Sequence, residues 1–413
     1  MKSLLSLLFV SLITVTSFAQ VNRELLVVNK VDHLATLARE PMVAQHPNGT
    51  LFVTGYRNQS NEPQLWKSTD QGKNWEAVDV GNSEDGAQGN SDADLYIDEE
   101  GNIFFLSMTY SKVPEDQPDF DMSTLKGEQV VVGVSRDVGK TWKWHQISKN
   151  DYDDRPWITA SSNGDLHIIW NDGQGVHHSV SNDKGASWTR QPKISDKGGS
   201  SFLAHGPNGK LAVRVSPASA SGHKMDQGTD YIRLSNDHGK TWQNAGLPEA
   251  LTWTEDFSGV PRWVEPLAFD DAGNLYSLWS DGNTLKLGVS ANDGEDWKIH
   301  PLLSHDDTLY FPYMEISGEH IMITWISGFG EKLRHNAGIV KMLNQEPILY
   351  SISPQKLDIR SRFAGAGNGL STGGEYFPMI RMSNGNFGMA TTIQNQVSGR
   401  LGFTWWELAL STY

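Results

Sequence analysis

The sequence predicts an all-β fold assembled from repeated modules, and three observations predict it. The pattern Ser-x-Asp-x-Gly-x-x-Trp stands at Ser68–Trp75, Ser135–Trp142, Ser181–Trp188 and Ser235–Trp242, and a fifth copy, Ser290–Trp297, carries Asn292 at the Asp position. The copies are 67, 46, 54 and 55 residues apart, and self-similarity at such a period marks stacked or radial modules. Seven short Asn- and Gly-rich turns recur between apolar runs, as hairpins require. The 413 residues include 15 Trp and 40 Gly, a composition suited to many short strands joined by tight turns.

The repeated motif has a direct physical reading. Its Asp bonds the backbone N–H groups of its own turn, its Gly supplies φ > 0, and its Trp packs on the sheet that follows. The pattern resembles the Asp-box of sialidases and related BNR-repeat β-propellers. There it is a structural turn remote from the active face. The resemblance implies a propeller whose activity must be argued from other residues.

The blades can then be counted along the chain. The turns are His46–Gly49, Glu99–Asn102, Ser162–Asp165, Pro207–Lys210, Asp271–Asn274, Ser317–Glu319 and Ser383–Asn386. Each joins a first to a second strand, as Leu51–Thr54, Ile103–Leu106, Leu166–Trp170, Leu275–Trp279 and Ile321–Trp325 illustrate. Seven turns predict an all-β, seven-bladed β-propeller, with blades at 39–80, 90–148, 153–195, 199–249, 260–303, 309–353 and 374–410. Sialidases have six, so the count departs from that family. The segment Glu24–Asn29 is expected to add the outer strand of the last blade and so close the ring. Two polar inserts, Ser111–Gly127 and Pro217–Thr229, interrupt second-to-third strand connections.

The first residues read as an export signal. Met1-Lys2-Ser3 precedes an apolar run from Leu4 to Val15, and Ser17-Phe18-Ala19 places small residues before a cut at Gln20. Residues 1–19 are therefore expected to be a signal peptide and 20–413 a single propeller domain, periplasmic or secreted. The absence of cysteine excludes disulfides and thiol catalysis. A formal net charge of −15 argues against nucleic acid and anionic membrane as partners, but a locally basic pocket could still take an acidic substrate. No metal-ligand spacing stands out and no cofactor is expected. A monomer is expected.

In a hairpin-built blade the first turn and the Asp-box lie on one face. The opposite face gathers the starts of inner strands and the second-to-third connections, where variable loops build sites. Residues expected there are rich in Arg, His and Tyr. His177, His178, Arg214 and Tyr231 fall at adjacent strand ends of blades three and four and form the candidate catalytic set. Consecutive His177 and His178 must point to opposite sides of their sheet. Arg214 interrupts an apolar strand, which is costly unless it is paired. Arg39, Arg155, Arg262, Tyr310 and Tyr313 are candidate substrate-binding residues.

Two chemistries compete. Arg39-Glu40-Pro41, followed by Pro47-Asn48-Gly49-Thr50-Leu51, resembles the Arg-Ile-Pro start of sialidases, but Arg57–Leu65 has no Asp where that family places its acid. The alternative is β-elimination at a uronic acid, which needs a cation on the carboxylate, a base for the C5 proton and an acid for the leaving oxygen. Arg matches a carboxylate bidentately, and His or Tyr can serve the other roles. The overall pattern resembles the seven-bladed, Asp-box-bearing ulvan lyases and the ulvan oligosaccharide dehydratase of marine Bacteroidetes. That likeness implies elimination on an acidic glycan, by chain cleavage or by dehydration of a non-reducing-end glucuronate. A sialidase-type exo-glycosidase and a non-catalytic glycan-binding propeller are the alternatives.

Overall fold

A computed structural model describes residues 23–34, 39–56, 60–112, 126–196, 198–216, 228–249, 252–253, 265–328, 333–356, 374–394 and 401–411. The expected signal peptide, Arg262 and most of both inserts lie outside the described residues. The fold is an all-β propeller, and its only helices among the described residues are two 3-10 turns.

Five four-stranded antiparallel sheets follow one another along the chain. Their innermost strands are Arg39–Gln45, Ala93–Ile97, Asp154–Ala160, Gly199–His205 and Leu267–Phe269. An eight-stranded sheet follows. Its first four strands run as a meander from Leu309–Ser317 to Glu346–Lys356, and its last four comprise Met379–Arg381, Phe387–Gln394, Leu401–Leu410 and Arg23–His33. The strand ladder that joins the halves is a parallel pairing of Arg23 with Tyr350 and Glu24 with Ser351. Arg23–His33 pairs antiparallel with Leu401–Leu410, so the N-terminal segment supplies the outer strand expected of it and ties the two ends of the chain together. A two-stranded ribbon pairs Gly228–Thr229 with Thr252–Trp253.

The five Asp-boxes share one geometry. In Ser181–Trp188, Gly185 N–H donates to Ser181 Oγ (2.8 Å), Ser187 N–H donates to Asp183 Oδ1 (2.8 Å), and Ser187 Oγ donates to Asp183 Oδ2 (2.6 Å). These bonds hold the Asp183 carboxyl down at about 2. In the variant copy Asn292 takes over, accepting from Asp296 N–H (2.9 Å) and donating to its carboxylate (3.1 Å). The motif Gly has positive φ in each copy, and so does the residue before it: Gln71, Val138, Lys184, His238 and Asp293.

The glycine is required for more than its φ. It presses against the preceding blade. A Cβ on Gly72 would lie 2.1 Å from the Trp405 indole, one on Gly185 2.9 Å from Phe104, and one on Gly294 2.9 Å from Ala245 Cβ. On Gly139 the neighbours are Val78 and Phe52. Each box is thus an inter-blade dock as well as a turn. Apolar clusters fill the same seams, such as Val43, Trp66, Phe403 and Trp405 where the first sheet meets the last strands, and Phe104, Val132, Ile158 and Trp170 between the second and third sheets.

Gly72→Ala should therefore cost more than its left-handed backbone alone requires. Gly49 (φ 92) has no atom near its missing Cβ, so Gly49→Ala isolates the backbone penalty of about 1–2 kcal/mol. Urea denaturation should show Gly72→Ala losing at least about 1 kcal/mol more than Gly49→Ala, because the Trp405 indole must move.

Candidate active site

The inner strands begin with a recurring irregularity. Pairing slips between Arg39 and Met42, between Asp154 and Trp157, between Ser200 and Phe202, and between Tyr310 and Tyr313. In three of these bulges a left-handed residue precedes a proline: Glu40 (φ 48) before Pro41, Arg155 (φ 46) before Pro156 and Phe311 (φ 46) before Pro312. Non-glycine residues avoid that region, and residues before proline are restricted further. Pro266 and Pro378 also stand just before an innermost strand, after Glu265 and Phe377. A bulge re-aims side chains and accommodates the missing N–H of proline. Here it gathers the strand starts around the mouth of the central channel.

The gathered residues form a cluster of unlike charges. Arg39 lies over the Tyr56 ring, its guanidinium carbon 5.2 Å from the centroid. Burial opposes the Arg39 cation, but Tyr56, Glu40, Glu375 and Asp92 around it outweigh that cost and raise its pKa. Arg155 is likewise raised against burial, by Tyr376, Asp154, Glu375 and Asp92. Asp92 stands in the field of both arginines. Its surface is half-exposed, yet protein encloses it closely enough that lost hydration, then Asp154 and Glu375, push its carboxyl up to about 7. Burial also raises Tyr56 and Tyr376 well above the usual phenol range.

Aromatic rings floor this cluster. Trp157 stacks on Phe202 at 4.6 Å and meets Tyr376 edge-on at 5.0 Å, and Phe202 meets Tyr313 at 4.8 Å. Beneath them runs a channel of about 410 Å³ lined by the innermost strands of all five four-stranded sheets and of both halves of the eight-stranded one. Asp94 and Glu315 face this channel. Asp94 is buried, and lost hydration pushes its carboxyl up to about 7. Glu315 keeps an exposed surface, yet the protein crowded around it and then Asp94 raise its carboxyl. Asp94 is fully engaged, accepting from Leu95 N–H (2.8 Å) and Ile158 N–H (3.0 Å).

The residues expected from sequence divide sharply. Arg39 and Arg155 stand at the channel mouth. Tyr310 and Tyr313 are buried in the apolar cluster beneath it. His177, His178, Arg214 and Tyr231 do not form one catalytic set, because their side chains have separate partners. His177 stacks on Trp170 and bonds Asp172 Oδ2 through Nε2 (2.7 Å). His178, on the other side of the strand, bonds His167 Nδ1 through Nε2 (3.0 Å), and His167 in turn bonds Ser161 Oγ (3.0 Å). Gly239 of the fourth Asp-box rests on both rings, so this His pair fills the seam that Trp405, Phe52 and Phe104 fill elsewhere. Tyr231 bonds Ser195 Oγ through its hydroxyl.

Arg214 is paired within the protein. It is 1% exposed, donates to Asp230 Oδ2 through Nε (2.6 Å) and to Ser277 Oγ (3.0 Å), and forms an ion pair with Glu265 (2.5 Å). Two carboxylates already occupy the fork expected to hold a substrate carboxylate. The residue staples the fourth sheet to the fifth. The sequence places Glu40, Asp92 and Tyr376 on this face without assigning them a catalytic or binding role, and it does not single out Glu375. The signal that marks their neighbourhood is the proline shared by inner-strand starts, at 41, 156, 266, 312 and 378.

Arg214→Ala should destabilise by about 3–5 kcal/mol, because it leaves Asp230 and Glu265 buried without their cation. Equilibrium denaturation reads this directly. The His pair makes the fold acid-sensitive. Burial lowers His167 to about 4 and His178 to about 3, against an ordinary value near 6.5. Their contribution is thus fully present above about pH 6.5 and is lost as pH falls toward about 4 and below. Replacing both by leucine should flatten the dependence of melting temperature on pH in that window.

No family model matches the chain, and no curated protein matches it. Solved structures do. The structure of virginiamycin B lyase from Staphylococcus aureus superposes with a TM-score of 0.56 at 13% identity, covering 94% of this chain and 100% of that one. Polysaccharide lyase Uly1 superposes at 0.51 with 11% identity, covering 92% and 91%. Penicillium chrysogenum alpha-L-arabinanase reaches 0.47 at 19% identity over 75% of this chain, a superposition too loose to carry an argument. At these identities the likeness is one of fold: the chain is similar to β-propeller proteins.

Proposed function

We propose that this protein is an exported, seven-bladed propeller lyase acting on a carboxylate-bearing glycan by β-elimination at a uronate. One observation carries the reading: Arg39 and Arg155 converge on Asp92, whose carboxyl is poised near neutrality. The arginines clamp the uronate carboxylate and stabilise the charge that develops as C5 loses its proton. Asp92, with its pKa near the working pH, accepts that proton. The C5–H electrons form the C4=C5 double bond as the C4–O bond breaks. The neutral Tyr376 beside Arg155 protonates the departing oxygen, and solvent returns a proton to the phenol. The half-exposure of Arg39, Asp92, Asp154, Arg155 and Glu375 supports access from solvent.

The blade count comes from dividing the eight-stranded sheet at its two-residue parallel contact. Seven innermost strands around one channel support that division. The export signal at residues 1–19, the single domain that follows and the monomeric state belong to the same proposal. Two neighbours that superpose above 0.5 are named lyases, and one is a polysaccharide lyase, which agrees with the reading. A second reading, hydrolysis of a carboxylated glycoside, draws on the Tyr56–Glu40 couple beside Arg39.

One assay separates the two. Incubation with a uronate-terminated oligosaccharide should produce the near-ultraviolet absorbance of a 4,5-unsaturated product. Arg39→Ala, Arg155→Ala and Asp92→Asn should each lower that rate by on the order of 10²-fold or more, with the fold retained by circular dichroism. Release of a saturated sugar acid with no unsaturated product assigns hydrolysis and sinks the elimination.

A further inference from the structure

Glu40 is placed with unusual care for a residue with no evident partner in function. Its backbone is left-handed (φ 48) ahead of Pro41. Only 6% of it is exposed. One carboxyl oxygen, Oε1, accepts the Glu375 N–H (3.1 Å), from a residue 335 positions further along the chain. Gly374 is pressed so close that a Cβ there would lie 2.1 Å from Glu40 Cγ. The other oxygen, Oε2, is buried and has no hydrogen-bond partner among the described residues. An ionised carboxylate with a buried, unbonded oxygen is expensive, and a neutral carboxyl is far less so.

The charged groups facing Glu40 explain which form it takes. Arg39, on its own strand, favours the anion. Asp92 from the second sheet and Glu375 from the closing segment oppose it. Loss of hydration adds to those two, and the net effect raises Glu40 well above the usual carboxylate range. Tyr56 lies beside it, and Asp154 and Arg155 act on it at one remove through Asp92.

We infer that Glu40 is a neutral, proton-holding carboxyl, buried in the same cluster as Asp92, that fixes the Glu375–Tyr376 segment without touching substrate. Glu40 is in this sense a positioning residue. Its bond to Glu375 N–H anchors the segment that brings Tyr376 to the cluster, and its proton spares a cluster that already holds Asp92, Asp154 and Glu375 a further anion. The inference rests on the channel mouth being the active site, but its test needs no substrate.

The test is the pH dependence of stability in wild type and Glu40→Gln, which keeps an acceptor for Glu375 N–H. A carboxyl held neutral in the fold contributes stability that is full below its ordinary value of about 4.5 and is lost as pH rises through its higher folded value. Glutamine cannot ionise. The two proteins should therefore differ least near pH 4, and the variant should gain on wild type by up to about tenfold in unfolding constant per pH unit above about 5. In wild type, carboxyl NMR should show Glu40 titrating above the ordinary carboxylate range, which a merely structural, ionised Glu40 would not do. If Glu40→Gln does not fold, Asp92→Asn should let the Glu40 carboxyl titrate lower. A stability difference that is constant with pH, together with a Glu40 carboxyl that titrates in the ordinary range, overturns the inference. An inactive enzyme with a pH-dependent difference overturns the uronate reading and leaves the neutral Glu40 standing.

Discussion

The fold depends on one recurring contact, the Asp-box glycine pressed against the preceding blade. A propeller blade is a small, twisted sheet that cannot bury both faces alone, so its stability is that of the seam to its neighbour. The Ser and Asp of each box lock a turn of two successive left-handed residues. The turn then delivers a bare Cα to the seam, where Trp405, Phe104 or the His167–His178 pair lies against it. A side chain at that glycine would hold the blades apart. The motif therefore recurs because each seam sets the same steric condition, and its distance from the channel mouth follows from its role as a dock.

The channel mouth is built by a second repetition. Bulges at the starts of inner strands, most of them carrying a proline, turn residues toward the axis that a regular strand would bury in a seam. Two arginines and four carboxylates, Glu40, Asp92, Asp154 and Glu375, come together there. Lost hydration raises Glu40 and Asp92, neighbouring carboxylates add to that rise, and the arginines offset part of it. Such an arrangement stores protons near neutrality at a cost to stability that the apolar seams can offset. Elsewhere the protein treats buried charge in the opposite way. Arg214 is fully matched by Asp230, Glu265 and Ser277, and so it is inert.

Arg214 and Arg39 show where sequence reasoning separates from structure. Each is an arginine beside apolar residues, and from sequence each needs a partner. The partners of Arg214 lie 16 and 51 residues further along the chain, across a seam that no local pattern reveals. The groups that raise Arg39 are Tyr56 and Glu40 of its own sheet together with Glu375 and Asp92 from distant parts of the chain. His178 makes the same point. Strand alternation correctly separates it from His177, yet only packing shows that its side of the sheet is a seam. The Asp92 carboxyl, by contrast, carries no motif, and its importance comes from neighbours contributed by the first, third and last sheets.

The sequence alone determined the all-β modular architecture, the five turn-locked docks, the hairpins and the strand that joins the two ends of the chain. These are local, set by glycine torsions, side-chain-to-backbone bonds and strand alternation within a few residues. Tertiary structure alone decided which arginine is paired within a seam, as Arg214 is, which arginines gather at the channel mouth, and which carboxyls are raised. Those outcomes depend on burial and on charges contributed by strands hundreds of residues apart, and electrostatic energy in a poorly hydrated site is fixed by distance in space.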